Sequence, residues 1–237
     1  MLNAEAQRII YNDINPFVSS LLHKIATEDI GKTIKYIKRT IKKYSLSKAN
    51  KEAYVALRTD YNSKEPSQRN PLDLYLLICF GFEHQIRFNS SHEFNNPCGN
   101  SGFNQEMCEK LIAFNMRAKQ LGIEFNSQSY EGYENDITPR DFVYCDPPYL
   151  ISCGAYNDGK RGFNGWNEEQ EQQLLRFLER MNDRGIRFML SNMVDRNGIE
   201  NHPLNEWIER NHFRVIENAN VTKRNRQNRK EIIIINY

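Results

Sequence analysis

The sequence lacks several features that would assign it to a familiar class. None of its apolar runs approaches the length of a membrane span, and its N-terminus has no signal-peptide pattern. It has no Cys-x-x-Cys pair, and its five cysteines are an odd number, which does not suggest a disulfide framework. Its five histidines show no His-Glu-x-x-His or similar spacing. These absences predict a cytoplasmic protein without a metal and without a membrane partner.

The composition is that of an ordinary folded protein. A hydrophobic content of 39% with 11% aromatic residues supports a packed core and argues against disorder. The formal net charge of +2 is nearly balanced, so the distribution of charge must decide whether nucleic acid is a partner. The 237 residues suffice for one domain, or for one domain with an insertion. No Gly-x-Gly-x-x-Gly segment is present, which disfavours a nucleotide-dependent oxidoreductase.

The most informative segment is the run of Asp146, Pro147, Pro148 and Tyr149. It follows a short apolar run at 142–145, which predicts a buried parallel strand. The segment would then lie at the carboxyl edge of an α/β sheet, where such sheets bind ligands. Two consecutive prolines make a stiff corner, because proline fixes its own backbone and restricts the preceding residue.

This corner has the groups that a flat heterocycle with an amine requires. The Asp146 carboxylate and the Pro147 carbonyl can each accept one amine hydrogen of adenine or cytosine, which increases electron density on the nitrogen. The Tyr149 ring can stack on the base, which has to leave its duplex to reach the corner. The alternative is an ordinary turn in which Asp146 accepts hydrogen bonds from local backbone groups.

A second acidic residue is predicted at a strand end. Residues 7–12 predict a short strand, and Asn15 with Pro16 predicts the start of a helix. Asp13 would therefore lie on a strand-to-helix turn, where an acid can hold the two hydroxyls of a nucleoside ribose. The alternative is that Asp13 caps the helix.

The middle of the chain predicts helices. Residues 30–51 carry only basic charges and have apolar residues at helical spacing, which predicts a basic amphipathic helix. Its polar face could follow DNA phosphates or simply be solvated: Lys35, Lys38, Arg39, Lys42 and Lys43. Further helices are expected near 52–60, at 71–80 in the core, and at 105–121, with an irregular segment at 81–103.

Strands and helices alternate in the rest of the chain. We expect strands at 123–125, 142–145, 186–190, 213–216 and 231–236, and helices at 168–184 and 203–211. Alternation on both sides of a helical middle predicts a doubly wound α/β fold with a mainly helical insertion.

Taken in order, these segments resemble the Dam-type DNA adenine methyltransferases, and most of all the phage branch of that family. The likeness covers nearly the whole chain and lies in these segments: 11–15, 46–48, 61–62, 81–89, 94–99, 142–149, 183–192 and 229–237. The resemblance implies a Rossmann-like catalytic domain of residues 1–30 and 120–237, with its first strand missing. It also implies a target-recognition insertion at 31–119.

The resemblance further implies direct methyl transfer from S-adenosylmethionine to adenine N6 in double-stranded DNA by a monomer. Residues 146–149 would be catalytic, and Asp13 and Asp146 would contact the cofactor. The expected DNA contacts are Arg87, Asn89, Lys223 and Arg224. A structural salt bridge is the alternative for Arg87, and a solvated hairpin tip is the alternative for 223–230. The loop 154–166, with Tyr156, is expected to be mobile without DNA and to close over the flipped base.

Two departures from the family qualify these expectations. The family's aromatic-Gly-Asn-Lys segment and its glycine-rich cofactor loop have no counterpart here, so the chain is expected to bind S-adenosylmethionine weakly or not at all. Where family members that recognise GATC carry an arginine, this chain has Asn100 and Ser101, so a GATC-like site is only one candidate. The alternatives are a DNA-binding remnant without catalysis and a cytosine-N4 methyltransferase.

Overall fold

The α-helices of the described residues begin in a common way. Each has an asparagine or aspartate at its N-cap whose side chain accepts a hydrogen bond from a backbone N–H of the first turn. The caps are Asn15, Asp29, Asn50, Asn70, Asn104, Asn167 and Asn201. Such a cap stabilises a helix by about 1 kcal/mol relative to alanine. The predicted cap Asn15 is confirmed.

The computed structural model describes residues 2–151, 166–217 and 229–237, which divide into two units, Met1–Tyr130 and Glu131–Tyr237. The expected DNA contacts Lys223 and Arg224 lie outside the described residues, and so do Tyr156 and the loop 154–166 up to residue 165.

The first unit is mainly helical. Its elements are β1, Ile10–Asn12; α1, Pro16–Thr27; α2, Ile30–Tyr44; α3, Lys51–Asn62; α4, Pro71–Phe80; α5, Gln105–Leu121; and β2, Glu124–Asn126. The strands β1 and β2 pair in parallel, with Tyr11 opposite Phe125. The basic helix ends at Tyr44 instead of continuing to 51, because Ser45 adopts the left-handed conformation and closes it.

Helix α4 lies at the centre of the core of this unit. Leu74, Leu76 and Leu77 are fully buried, and they pack in one cluster with apolar residues of α1, α2 and α3. The prediction that 71–80 belongs to the core is therefore confirmed. Because α4 is apolar nearly all round, its neighbours surround it and can expose their polar faces to solvent.

The segment between α4 and α5 is an irregular hairpin, as expected. It is closed by isolated bridges between Gly81 and Cys98 and between Phe88 and Phe94. A Cβ atom on Gly99 would lie 2.5 Å from the carbonyl oxygen of Gly81, so the two ends approach too closely for any side chain there. Glycine at 99 therefore allows the hairpin to close.

The second unit is a mixed sheet with helices. Its elements are β3, Phe142–Cys145; α6, Glu168–Asp183; β4, Arg187–Arg196; β5, Ile199–Glu200; α7, His202–Asn211; β6, Arg214–Glu217; and β7, Arg229–Ile235. The strand order is β3-β4-β7-β6, and β5 pairs with β4. Strands β3 and β4 are parallel, whereas β7 is antiparallel to both β4 and β6.

Side chains alternate between the two faces of β4, a strand of ten residues. Phe188, Leu190 and Asn192 are fully buried, whereas Met189 and Ser191 on the other face are half-buried. Phe188 packs against Trp207 of α7, with ring centroids 6.1 Å apart, so the first face is the one that the helices cover.

One prediction about the sheet is wrong. The strand at 142–145 is parallel, as expected, but it is not buried, because Phe142 is 48% exposed and Tyr144 is 55% exposed. Among the described residues β3 pairs with β4 alone, so it is an edge strand of this sheet. An apolar run of four residues cannot distinguish a central strand from an edge strand.

Candidate functional site

Asp146 directly follows the last residue of β3, so the stiff corner lies at the carboxyl end of this strand as predicted. Cys145 pairs with Leu190 of β4, and this register brings the corner beside Ser191. The Tyr149 hydroxyl lies 2.8 Å from the Ser191 hydroxyl and donates a longer hydrogen bond, of 3.4 Å, to Asp146 Oδ1. The Asp146 carboxylate is thus held between the corner and the neighbouring strand, and its residue remains exposed to solvent.

The environment of the corner shifts its ionisable groups. Partial desolvation raises the pKa of the Asp146 carboxyl above its usual range, and hydrogen bonds from Tyr149 and Ser191 oppose that rise. Desolvation also raises the pKa of the Tyr149 phenol to about 12 and that of the Cys145 thiol to about 12. Tyr149 therefore remains a neutral hydroxyl donor at physiological pH.

The raised pKa of Asp146 predicts a loss of activity in mild acid. If the ionised carboxylate accepts an amine hydrogen, kcat/KM should fall as the pH drops through a pKa above the ordinary value of about 3.9. A raised pKa in the folded state means that this group stabilises the fold below its unfolded pKa and loses that contribution as the pH rises. Protonation of Asp146 in mild acid should therefore remove activity without unfolding the protein.

Rates and circular dichroism measured across the same pH series would test this. The prediction would be contradicted if the rate fell in acid with a midpoint at or below the ordinary pKa of aspartate. It would also be contradicted if the fall in rate coincided with unfolding.

Asp13 lies on the predicted strand-to-helix turn, between β1 and α1. Its Oδ1 accepts the Asn15 N–H at 2.8 Å, and its Oδ2 accepts the Tyr11 hydroxyl at 3.2 Å. Asn15, and not Asp13, caps α1. Each carboxylate oxygen retains acceptor capacity beyond these bonds.

The hairpin between α4 and α5 presents Arg87. Its Nε is buried and has no hydrogen-bond partner among the described residues. The alternative of a structural salt bridge finds no support in the described part of the chain, where no ion pair involves Arg87.

Asn89, by contrast, is used to build the turn beside Arg87. Its Oδ1 accepts the backbone N–H groups of Ser91 and Glu93, and its Nδ2 donates to Glu93 Oε2. The structure therefore gives Asn89 a local role, and its contact with DNA stays a prediction.

Two residues of α3 and the α3–α4 connection fasten this turn to the core. Asn62 exchanges two 2.9 Å hydrogen bonds with the backbone of Phe94. Arg69, which is 9% exposed, donates to the carbonyls of Lys64, Asn62 and His92. The sequence marks Asn62 only through the family resemblance and does not mark Arg69, because their partners in the hairpin lie more than 20 residues away.

The predicted polar face of α2 is exposed along its length. All five of its basic residues are solvent-exposed, and they are Lys35, Lys38, Arg39, Lys42 and Lys43. The opposite face is buried through Thr33, Ile37 and Thr40. The amphipathic prediction is confirmed, and the basic face is accessible to a polyanion.

Among residues 2–151, 166–217 and 229–237, no group of three or more histidine, cysteine, aspartate or glutamate side chains is placed to hold a metal ion. In the same residues, no helix has both the length and the hydropathy that crossing a membrane requires.

Comparison with known proteins places these features in a family. The relatives include the type II methyltransferase M.FokI of Planomicrobium okeanokoites and the modification methylase StsI of Streptococcus sanguinis. Each is 37% identical to this chain over the full length of this chain. The DNA adenine methylase of Escherichia coli K12 is 26% identical over 98% of the chain and 79% of its own length. The chain spans only 37% of the length of the first two relatives.

The model of the family described as D12 class N6 adenine-specific DNA methyltransferase matches residues 1–224, which include both strand-end acids and the corner at 146–149. The chain therefore belongs to the D12 class N6 adenine-specific DNA methyltransferase family.

Proposed function

We propose that this chain transfers a methyl group from S-adenosylmethionine to N6 of adenine in double-stranded DNA. The observation that carries the proposal is the Asp146 carboxylate at the end of β3, held beside the hydroxyls of Tyr149 and Ser191. The family match over residues 1–224 supports the same reaction class. We further propose that the chain acts as a monomer.

The chemistry follows from the acceptors at the corner. The Asp146 carboxylate and the Pro147 carbonyl each accept one hydrogen of the adenine amine, which makes the nitrogen lone pair more available. The Tyr149 ring stacks on the extrahelical base. Because no bond forms between enzyme and base, orientation and electrostatic stabilisation contribute most of the rate enhancement.

S-adenosylmethionine supplies an electrophilic methyl group when it is bound. Asp13 is the residue proposed to hold its ribose hydroxyls, since both carboxylate oxygens lie at the end of a strand and retain acceptor capacity. Asp146 of the second unit is also proposed as a cofactor contact, from its position at the end of β3 alone.

The DNA is proposed to contact an insertion of residues 31–119 within a catalytic domain of 1–30 and 120–237. Parallel pairing of β1 with β2 supports this division, because it joins the segments that flank the insertion, although the compact units of the structure meet at Tyr130 and not at 30 and 120. Within the insertion, Arg87 and the basic face of α2 are the proposed contacts, with the phosphates attracting that face. Asn89, Lys223 and Arg224 complete the proposed set, and a GATC-like site is the first target to test.

The decisive experiment measures transfer of radiolabelled methyl from S-adenosylmethionine to genomic DNA that lacks adenine methylation. Nucleoside analysis of the product is expected to place the label on N6-methyladenine. Label on N4-methylcytosine would show that the methylated base is cytosine and not adenine. A folded chain that transfers no label would overturn the proposed activity. Titration calorimetry with the cofactor alone tests the weak binding expected from the sequence, which low-micromolar affinity would contradict.

Replacing Arg87 by alanine should weaken DNA binding by about tenfold or more, as expected for loss of a guanidinium that reads a base edge. Arg87→Lys should recover little, because lysine cannot form the paired hydrogen bonds of a guanidinium. Fluorescence anisotropy with a GATC duplex and with a scrambled duplex would measure both affinity and discrimination.

Lys110→Ala is the matched control, since it removes one exposed cation from α5 in the same unit. Equal loss of affinity in the two variants, or equal loss on both duplexes, would contradict a base-reading role for Arg87.

A further inference from the structure

The strand behind the catalytic corner connects two polar groups that lie on opposite faces of the sheet. Ser191 and Asn192 are consecutive on β4, so their side chains project in opposite directions. Ser191 faces Tyr149, at 2.8 Å between hydroxyl oxygens. Asn192 is fully buried on the helical side and donates to Glu171 Oε1 at 2.9 Å. A displacement of β4 at this point would therefore change both contacts together.

Glu171 of α6 is a fully buried carboxylate surrounded by donors. Its Oε1 accepts from the amide groups of Asn192, at 2.9 Å, and Asn201, at 3.1 Å. Its Oε2 accepts the Trp166 indole N–H at 2.6 Å. Among the described residues no cation forms an ion pair with Glu171, so these hydrogen bonds are what compensates for its burial.

The surrounding groups require an acceptor at both oxygens of residue 171. The amide oxygen of Asn192 already accepts the Met193 N–H, and that of Asn201 accepts the Leu204 N–H. Neither asparagine can therefore turn its amide around without losing a hydrogen bond, and an indole N–H is only a donor. Glutamine at position 171 has one amide oxygen and one NH₂ group, so its NH₂ group would face an N–H donor of a neighbouring side chain.

We propose that Glu171 is a positioning residue for methyl transfer. By holding Asn192, it fixes β4 where Ser191 meets Tyr149, and through Tyr149 it sets the position of the Asp146 corner. This role rests on the proposed function, although every contact that carries it lies within the second unit. Glu171 does not touch the base or the cofactor, so its effect should appear in turnover and not in binding.

The test begins with Glu171→Gln, which keeps the size of the side chain but places an NH₂ group against a donor. We expect kcat to fall by about tenfold or more, because a small misplacement of reacting groups is costly in rate. The KM values for DNA and for S-adenosylmethionine should stay within about twofold, since neither binding group is touched. Glu168→Gln, which removes an exposed carboxylate from the first turn of the same helix, should leave kcat unchanged.

A second substitution distinguishes positioning from a general loss of stability. Asn192→Asp alone places two carboxylates together and should lower kcat, but in the Glu171→Gln background it supplies the acceptor that the new amide group needs. Asn201 would still direct a donor at that amide group, so the double variant should be faster than Glu171→Gln but slower than the unmodified chain. An equal or lower kcat in the double variant, or a full kcat in Glu171→Gln, would overturn the proposal.

Crystal structures give a measurement that does not depend on activity. The distance between the Tyr149 and Ser191 hydroxyls should exceed hydrogen-bonding range in Glu171→Gln and return toward 2.8 Å in the double variant. An unchanged distance in Glu171→Gln would overturn the positioning role even if methyl transfer is confirmed. A wild-type chain that transfers no methyl group would instead overturn the proposed function, and the distance would still decide the positioning role.

Discussion

Replacing Asp146 by asparagine is expected to lower methyl transfer by on the order of 10³-fold while leaving the fold intact. The amide NH₂ would face the amine hydrogens that the carboxylate accepts, so an attraction would become a donor–donor contact. The residue is exposed at the end of β3, and its hydrogen bond from Tyr149 is long, at 3.4 Å. Little of the stability of the fold therefore depends on it.

The comparison should use single-turnover rates with labelled cofactor, together with the midpoint of thermal unfolding. Asp183→Asn is a suitable control, because it removes an exposed carboxylate from the end of α6 in the same unit. Its rate should match that of the unmodified chain. A rate for Asp146→Asn within tenfold of the unmodified chain would remove Asp146 from the catalytic step, and a large drop in the unfolding midpoint would make the loss a folding defect.

The parts of the fold that sequence analysis predicted are those that local chemistry determines. Asn15 with Pro16 marked the start of α1, and the helix expected at 105–121 has the bounds of α5. Asp13 and Asp146 were placed at strand ends because each follows a short run with strand character and precedes a helix start or a proline. These signals lie within a few residues of the feature that they predict.

The parts that were missed depend on partners distant in the chain. Ser191 contacts Tyr149 across 42 positions, and Glu171 receives hydrogen bonds from Asn192 and Asn201, which lie 21 and 30 positions away. Nothing near Glu171 in the sequence marks it as buried, because it stands among solvated acidic and amide residues at the start of α6. The exposure of β3 was missed for the same reason, since the neighbours of a strand are not encoded in the strand itself.

Replacing Arg69 by methionine should give a large loss of stability in the first unit. The guanidinium donates to the carbonyls of Lys64, Asn62 and His92, and it lies over the rings of Phe17 and Tyr61 at 5.5 and 5.2 Å from their centroids. Methionine would fill the apolar part of the site but leave the three carbonyls without this donor. We expect the free energy of unfolding to fall by about 3 kcal/mol.

The same substitution should loosen the turn next to Arg87. Arg69 reaches His92, whose positive φ of 60° places a non-glycine residue in an unfavourable backbone conformation that its surroundings must hold. Without that bond, the backbone N–H groups of Asn89 and His92, which hydrogen-bond within the turn, should exchange with solvent faster than those of α4. DNA affinity should then fall even at temperatures where the unit remains folded, because Arg87 would no longer be held in one place.

Arg58→Met provides the comparison, because Arg58 also bonds a hairpin carbonyl, that of Asn96, but makes only this one such bond among the described residues. Denaturant unfolding should give a loss of about 1 kcal/mol for Arg58→Met against about 3 kcal/mol for Arg69→Met. Equal losses in the two variants would mean that the number of carbonyls left without a donor does not determine the loss in the free energy of unfolding. Unchanged exchange at Asn89 and His92 in Arg69→Met would mean that the reciprocal bonds between Asn62 and Phe94 are enough to hold the turn.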